Sequence, residues 1–476
     1  MSEVKPNIIF IFADQMRAQV LGCYGNTQVP TPNLDEMAGA GIVFDNAISP
    51  WPVCSPHRAM LLSGRYPMNN GTVHNDTGIR DDIPSIATAC RDQGYETGYI
   101  GKWHLEWNRE PFVPPERRQG FDYWAVNNCT HRYMDHFYCT DTPEEIHFKG
   151  YDAVVQTDLA IDYIKANREK PFCLFLSWGP PHGPYGLVPD EYKNRIDPDN
   201  IQLRPNVAER SVVESLLELD SPSEQTQERR NTRRALIEDD ERLKHECLHG
   251  YYAHTAALDD CLGRIRTALS DTGLTDDTIL AFSSDHGDML GSHRMGSKQC
   301  PFEESIRIPF VVEYPYAVPK GKRTDGLLAP IDVMPTLLSI AGLDCPEVDG
   351  KDISEAALGG KADQQDAVLL MKMLPVGNPY QINAITPWRG VRTKQYTYAC
   401  LLDHGPWLLY NNLADLYQMD NLINKPEYAD LQKDMERRMQ ELMNEAGDPG
   451  DTSVINEFRS RRRVEAGLEP HLMLDT

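Results

Sequence analysis

Short apolar segments that run directly into polar residues constrain the fold of this chain more than any other feature. The segments are rich in β-branched and aromatic residues, which is typical of strands that are covered on both faces of a sheet. They span residues 7–12, 97–100, 172–178, 278–284 and 309–312. The first four lead, in turn, to Asp14 and Gln15, to Lys102 and His104, to His182, and to Asp285 and His286.

Helical stretches separate these segments, for example at 84–94 and 251–270. Strands that alternate with helices predict an α/β fold in which helices cover both faces of a largely parallel sheet. In open α/β sheets the ligand site lies outside the carboxyl ends of the strands. We therefore expect the four sets of polar residues to meet at one edge of the sheet.

Two changes in composition divide the chain. Between about 203 and 246, charges of both signs are densely mixed, which predicts a solvated helical insertion. Further along, 390–398 alternates like a half-exposed antiparallel strand, and 426–446 has apolar residues at helical spacing. We expect a large α/β domain over 1–350, which includes the insertion, and a small α+β domain over 351–476.

The charge balance limits the class of partner. The chain has 47 Lys+Arg against 71 Asp+Glu, a formal net charge of −24. A strongly acidic surface repels nucleic acids and anionic membranes, so a general nucleic-acid-binding role is excluded. An anionic substrate would need a local basic pocket. The sequence indicates no particular oligomeric state.

Targeting signals and cysteine spacing give expectations about location. No apolar run approaches the ~20 residues that a membrane helix needs, so no membrane partner is expected. The first residues, Met-Ser-Glu-Val-Lys-Pro, lack the basic start and apolar stretch of a secretory signal, which favours the cytoplasm. A periplasmic or secreted location fits if a signal peptide has been removed. The 11 cysteines are scattered without zinc-type spacing, so no disulfide framework is expected.

The segment around Cys54 carries the strongest chemical signal. Residues 53–65 read Val-Cys-Ser-Pro-His-Arg-Ala-Met-Leu-Leu-Ser-Gly-Arg, so Cys54 begins a Cys-x-Pro-x-Arg pattern that is followed by Leu-x-x-Gly-Arg. An isolated cysteine is most often a small buried hydrophobic residue. The combined pattern resembles the signature of the type I sulfatases, in which a maturation enzyme oxidises the cysteine to formylglycine.

The resemblance covers nearly the whole chain and implies both a fold and a chemistry. The implied fold is an alkaline-phosphatase-like mixed sheet between helices, with a smaller α+β C-terminal domain. The implied maturation partner is a formylglycine-generating enzyme that acts on Cys54. One hydroxyl of the hydrated aldehyde attacks sulfur, and the other later expels sulfate, so no water attacks the covalent intermediate.

The resemblance also implies one divalent metal ion, which would lower the pKa of the attacking hydroxyl. The family places metal ligands at the ends of two strands, which here are Asp14 with Gln15 and Asp285 with His286, together with the modified Cys54. Hard oxygen ligands imply Ca²⁺, or alternatively Mg²⁺ or Mn²⁺, rather than zinc. Most members have Asp-Asp and Asp-Asn at these two places, so Gln15 removes one negative charge from the metal's ligands.

Five further residues match family positions around the sulfate. In Gly-Lys-Trp-His, Lys102 would bind a sulfate oxygen, and His104 would hydrogen-bond the formylglycine and help to deprotonate its spare hydroxyl. Arg58, one turn after the cysteine, would orient the formylglycine. His182, in Pro-Pro-His-Gly-Pro, would face the leaving-group oxygen. Lys298 would be a second sulfate-binding lysine.

Three functions remain to be compared. The first is hydrolysis of a sulfate ester on a sulfated sugar, an oligosaccharide or an aryl group. The second is hydrolysis of phosphonate or phosphodiester monoesters, whose enzymes resemble this chain at Gln15 and His286 but tend to carry Tyr and Thr at the positions of Lys102 and His104. The third is a non-catalytic anion-binding protein of the same fold, which loss of Cys54 would have favoured. Retention of Lys102 and His104 favours the sulfatase.

Overall fold

Two sheets organise the computed structural model, which describes residues 5–107, 110–218, 228, 231, 234–376 and 386–470. The strands are β1 Asn7–Asp14, β2 Ile42–Ala47, β3 Glu96–Lys102, β4 Tyr123–Asn127, β5 Phe137–Tyr138, β6 Ile146–His147, β7 Phe172–Pro181, β8 Thr278–Ser284, β9 Phe310–Glu313, β10 Lys322–Leu328, β11 Ala367–Lys372, β12 Trp388–Thr393, β13 Tyr396–Leu401 and β14 Gly405–Asn411. Eight of them form the large sheet in the order β10-β2-β9-β8-β1-β7-β3-β4.

Strand β1 lies inside this sheet and fixes its direction. It pairs in parallel with β7, where Phe10 lies opposite Phe175, and with β8, where Phe10 lies opposite Ala281. Strand β9 is antiparallel to both of its neighbours, β2 and β8, so the sheet is mixed. The carboxyl ends of β1, β3, β7 and β8 therefore lie at the same edge.

Helices cover both faces of the large sheet. The α-helices are α1 Pro32–Ala40, α2 Cys54–Ser63, α3 Pro67–Asn70, α4 Ile86–Asp92, α5 Asp152–Ala166, α6 Asp190–Lys193, α7 Ser211–Glu218, α8 Asp240–Arg242, α9 His249–Thr272, α10 Glu303–Ile306, α11 Pro330–Ile340, α12 Ser354–Ala357, α13 Ala429–Glu445 and α14 Thr452–Glu465. A π-helical turn, Leu243–Leu248, joins α8 to α9 without a break.

Alternate residues of β1 enter different cores, as the period of two in a strand requires. Ile9 and Ile11 pack in the core under α1, α5 and α9. Phe10 and Phe12 pack in the core under α2, α4 and α11. The α/β fold with a mixed sheet between helices, expected from the sequence, is confirmed.

The second sheet is antiparallel and has the order β11-β12-β13-β14. Helix α13 packs on it through Met435, Met439 and Met443, which are buried in a third core. The expected single half-exposed strand over 390–398 is wrong, because β12 ends at Thr393 and β13 begins at Tyr396. The two strands pair across a short turn, and most of their residues are buried.

The charged insertion expected over about 203–246 falls partly outside the described residues. Within the described part, α7 turns Val212 and Leu216 into the third core, so this helix is anchored rather than fully solvated. No helix in the described part of the chain combines the length and the apolar character that a bilayer crossing needs.

Candidate active site

The carboxyl ends of four strands bring the expected polar residues together. Asp14 ends β1, Lys102 ends β3, His182 follows β7, and Asp285 follows β8. Helix α2 begins at Cys54 and faces this edge. Each of these buried strands ends where polar residues begin, so the local sequence alone places each polar side chain at the carboxyl edge of the sheet.

The Cys54 sulfur lies among polar side chains from three different strand ends and one loop. Sγ is 3.3 Å from His286 Nε2 and 3.7 Å from Asp14 Oδ1. The ammonium nitrogens lie 3.8 Å away for Lys298 and 4.0 Å away for Lys102. Cys54 is only 3% exposed, so these groups surround a buried reacting position.

The thiol itself is poorly suited to act as a thiolate nucleophile. Burial, together with the charge of Asp14, raises the pKa of the Cys54 thiol above its ordinary value. Reactive cysteines require the opposite shift, because the thiolate is the nucleophilic form. The surroundings of Cys54 therefore do not favour the thiolate form.

The carboxylates of Asp14 and Asp285 are held by one arginine. Arg58 Nη2 lies 3.3 Å from Asp14 Oδ2 and 3.0 Å from Asp285 Oδ2, and its Nη1 donates to Ser177 Oγ and to the Lys102 carbonyl. Burial opposes ionisation of Asp14, but the positive charges of Lys102, Arg58 and Lys298 together hold its pKa well below the usual range. Both the sequence and the structure place Arg58 here, and its guanidinium group is directed at these two carboxylates.

His286 presents an unprotonated nitrogen to the same cluster. Its Nδ1 lies 3.0 Å from the Gly287 carbonyl oxygen, which only accepts, so the proton sits on Nδ1. The lone pair of Nε2 then faces Asp14 Oδ1 at 3.7 Å and Asp285 Oδ1 at 3.5 Å. Burial lowers the pKa of His286 to about 4, which keeps the imidazole neutral at physiological pH.

Gln15 lies between a lysine and a carboxylate. Its Oε1 accepts from Lys298 Nζ at 2.6 Å, and its Nε2 donates to Asp288 Oδ2 at 2.5 Å. Its backbone N–H donates to Asp285 Oδ1 at 3.0 Å. The side-chain oxygen of Gln15 thus faces Lys298, whose ammonium group lies 3.8 Å from Cys54 Sγ, while its nitrogen faces Asp288.

Lys102 remains charged despite its burial. Burial alone would lower the pKa of Lys102, but the Asp14 carboxylate, 2.5 Å from its Nζ, holds that pKa above the ordinary value. Two cations therefore lie beside Cys54 in a chain whose net charge is −24. Two ammonium groups beside the reacting position are what a site for an anion requires.

Two histidines border the site with neutral rings. Burial and the nearby lysines hold the pKa values of both His104 and His182 well below their usual range. His182 Nδ1 donates to the Gly183 carbonyl at 2.8 Å, which leaves Nε2 as an acceptor, and the ring stacks on exposed His131. His104 is 7% exposed, and its Nδ1 has no hydrogen-bond partner among the described residues.

Three residues that the sequence did not single out complete the site. Ser177 contacts Arg58, Asp288 contacts Gln15, and the Tyr251 hydroxyl on α9 donates to the Gln15 carbonyl at 2.8 Å. Ser177 lies in β7 next to the predicted edge, so its place could have been anticipated. Asp288 and Tyr251 lie in a loop and on a helix without a local motif.

The donor atoms fit a hard divalent cation. Single ligand atoms of Asp14, Cys54, Asp285 and His286 all lie within 4.8 Å of one another, and all four residues are buried. Two carboxylates, an imidazole lone pair and the nearby Gln15 amide oxygen make a mostly oxygen donor set, which Ca²⁺ and Mg²⁺ prefer. All ten site residues predicted from the sequence therefore lie at or beside one cluster.

Comparison with known proteins agrees with this geometry. Residues 6–343 match the family model described as Sulfatase, and residues 291–445 match the one described as N-sulphoglucosamine sulphohydrolase, C-terminal. The chain is 36% identical over 465 residues to an ulvan-active sulfatase of Formosa agariphila, covering 96% of this chain and 83% of that protein. It is 27% identical to an N-acetylglucosamine-6-O-sulfatase of Bacteroides thetaiotaomicron, covering 97% and 90% of the two proteins.

Solved structures extend the likeness to three dimensions. One, described as a complex with its substrate D-glucosamine-2-N,6-O-disulfate, has a TM-score of 0.80 and 25% identity, and the match covers 94% of this chain and 99% of that one. A phosphonate monoester hydrolase of Agrobacterium radiobacter has a TM-score of 0.73 over 93% of this chain and 96% of its own, at 21% identity. That identity supports a shared fold alone.

Proposed function

This chain belongs to the sulfatase family of sulfuric ester hydrolases, and we propose that it removes sulfate from a carbohydrate with a formylglycine made from Cys54 and a bound Ca²⁺ ion. One observation carries the proposal: the side chain of residue 54 lies within 4.0 Å of two lysine ammonium groups, an imidazole and a carboxylate. A nucleophile surrounded in this way is placed to receive a sulfate group.

The metal would be held by Asp14, Asp285, His286 and the Gln15 oxygen, with the modified residue 54 beside it. When bound, the ion supplies Lewis acidity that lowers the pKa of a hydroxyl at residue 54. Arg58 bridges Asp14 and Asp285, so it fixes the two carboxylates before any ligand enters. This preorganisation reduces the rearrangement that the reaction would otherwise require.

The lysines would bind the sulfate, and the histidines would take part in proton transfer. Lys102 and Lys298 carry the positive charge that balances a sulfate and the further charge that develops on its oxygens. His182 and His104 are neutral, so each can accept a proton at its unprotonated ring nitrogen and donate a hydrogen bond from the other. His182 lies at the half-buried border of the site, where a leaving alcohol would exit, and His104 is the more buried of the two.

Addition of water to the formylglycine aldehyde would give two hydroxyls on one carbon, one for attack on sulfur and one for release of sulfate. The raised pKa of the unmodified Cys54 thiol supports a requirement for this conversion. A formylglycine-generating enzyme is the partner that would carry it out.

Relatives support a carbohydrate as the alcohol part of the ester. The relatives described above are named for ulvan and for N-acetylglucosamine, and one solved structure contains a sulfated glucosamine. We infer that a sulfated sugar or oligosaccharide enters at the border formed by His131 and His182, where a stacked pair of rings offers an aromatic surface.

The ester class is tested by comparing turnover of sulfated mono- and oligosaccharides, an aryl sulfate and a phosphonate monoester by one matured preparation. We expect sulfated carbohydrates to be turned over with the highest kcat/KM and the phosphonate monoester with the lowest. A preference for the phosphonate would overturn the proposed function in favour of the alternative hydrolase. An aryl sulfate as the best substrate would retain the sulfatase and reject the carbohydrate.

Substitution of each active-site lysine by methionine should lower turnover. Lys102→Met and Lys298→Met keep an apolar stem but remove the charge, and loss of one such contact costs about 10²–10³-fold in kcat. Steady-state kinetics on the best sulfate ester measure the effect. The control is Lys394→Met, a partly exposed lysine that pairs with Asp325 in another part of the molecule and should leave kcat unchanged. Unaltered kcat in both active-site variants would remove these lysines from the reaction.

A further inference from the structure

The hydrogen-bond partners of the Gln15 side-chain amide permit only one orientation of that amide. An amide has an oxygen and a nitrogen of nearly the same shape, so its hydrogen-bond partners decide which atom faces which way. Here Lys298 Nζ can only donate, and it lies 2.6 Å from Oε1. The carboxylate of Asp288 accepts from Nε2 at 2.5 Å. Rotating the amide by half a turn would replace both contacts with repulsive ones.

Of these two hydrogen-bond partners, Asp288 is the one that stays bound to Gln15 during the reaction. Lys298 is placed to bind the substrate's sulfate, so its ammonium group has a second task during the reaction. Asp288 is 0% exposed and is itself held by the Tyr185 hydroxyl at 2.6 Å and by the Leu290 backbone N–H at 3.1 Å. All three of its partners donate, so both oxygens of this carboxyl group act as acceptors.

Asp288 also carries the negative charge that residue 15 lacks. Most members of the family resembled here have a second aspartate where this chain has Gln15. The chain keeps a carboxylate one hydrogen bond behind that position, and a charge placed there polarises the amide and makes its oxygen a better ligand. The negative charge that residue 15 lacks is therefore still present, on a side chain one hydrogen bond behind that residue.

We propose that Asp288 is a positioning residue for the metal site, which turns the Gln15 oxygen towards Asp14, Asp285 and His286 and supplies the displaced carboxylate charge. The inference rests on the proposed function, because it concerns the cation that those residues would hold.

The test returns the negative charge from residue 288 to residue 15. Asp288→Asn should weaken binding of Ca²⁺ by the chelator-treated enzyme about 10–100-fold, as loss of an outer partner of a metal ligand does, measured by titration calorimetry. The double variant Gln15→Glu with Asp288→Asn has the charge of the wild type, with the carboxylate now at residue 15, and should regain most of the lost affinity. A purely structural role of the carboxylate at position 288 would not be restored in this way.

The matched control is Asp332→Asn. Asp332 is equally buried and accepts from the amide of Gln365 at 3.0 Å, but none of its hydrogen-bond partners belongs to the site. This variant should lose thermal stability without a change in Ca²⁺ affinity.

The outcomes separate the two proposals. A wild-type enzyme that binds none of Ca²⁺, Mg²⁺ or Mn²⁺ would overturn both the metal-dependent function and the role of Asp288. Wild-type affinity in Asp288→Asn, or a double variant that binds no better than that single variant, would overturn the role of Asp288 alone. If the single variant does not fold, the double variant decides: near-wild-type affinity supports the inference, and failure to fold or bind overturns it.

Discussion

Replacing Cys54 with alanine should abolish turnover of every sulfate ester, with a loss of about 10⁴-fold or more in kcat. The side chain of residue 54 contacts both lysines, Asp14 and His286 at once. Without it, the remaining groups can still bind an anion, so substrate affinity should change far less than kcat. Kinetics and equilibrium binding of the substrate distinguish the two effects.

The control for this variant is Cys261→Ala, a buried cysteine on α9 that packs in the core away from the site. It should keep wild-type kcat. The mass of the peptide that contains Cys54, measured after expression with a formylglycine-generating enzyme, should show an aldehyde in place of the thiol. Turnover by Cys54→Ala close to the wild-type rate would contradict a nucleophile at this position.

Substitution of Asp14 by asparagine should lower kcat/KM by about 10³-fold, which corresponds to ~4 kcal/mol of transition-state stabilisation. The change preserves shape but removes the charge that pairs with Lys102 and Arg58 and that faces His286 Nε2. A metal ion held by this cluster would lose a carboxylate donor. Ca²⁺ affinity of the chelator-treated enzyme should therefore fall together with kcat/KM.

Acid unfolding gives a second readout for this variant. The pKa of Asp14 is depressed in the folded protein, so its contribution to stability is present above the ordinary carboxyl pKa of about 4 and is lost as pH falls towards the lower folded value. Asp14→Asn should remove part of that loss, which flattens the dependence of the unfolding free energy on pH below about 4. Asp259→Asn, at a buried carboxylate that caps α1, is the control and should retain wild-type turnover. Equal Ca²⁺ affinity in wild type and Asp14→Asn would exclude this residue as a ligand.

Much of the site was predictable because each part is local in sequence. The predicted strand 278–284 coincides with β8, and the first strand differs only by continuing to Asp14. In both, a run of β-branched and aromatic residues ends at the polar group that the sheet then delivers to its edge. The Cys54 segment carried a motif of its own.

What sequence analysis missed depends on contacts between distant parts of the chain. Asp288 follows the predicted Asp285–His286 pair by two residues, but it lies 273 positions from Gln15, and nothing in the sequence pairs the two. The sequence analysis predicted one strand where the second sheet has β12 and β13, and the reason for this error is different. Lys394 and Gln395 turn the chain between β12 and β13 without a glycine or proline, so the local turn signal was weak.

The second sheet reaches the loops on both sides of the site. The Met371 N–H of β11 donates to the Pro50 carbonyl, four residues before Cys54. The Trp388 indole N–H donates to the Gln299 carbonyl, beside Lys298, at 2.9 Å. During synthesis the N-terminus of the chain emerges first, so Cys54 and the large sheet are synthesised well before the residues that donate these two hydrogen bonds. A nascent chain that ends before β12 would carry all ten site residues and still lack the hydrogen bond from Trp388 to the loop that holds Lys298, so we expect catalytic competence to arise late in translation.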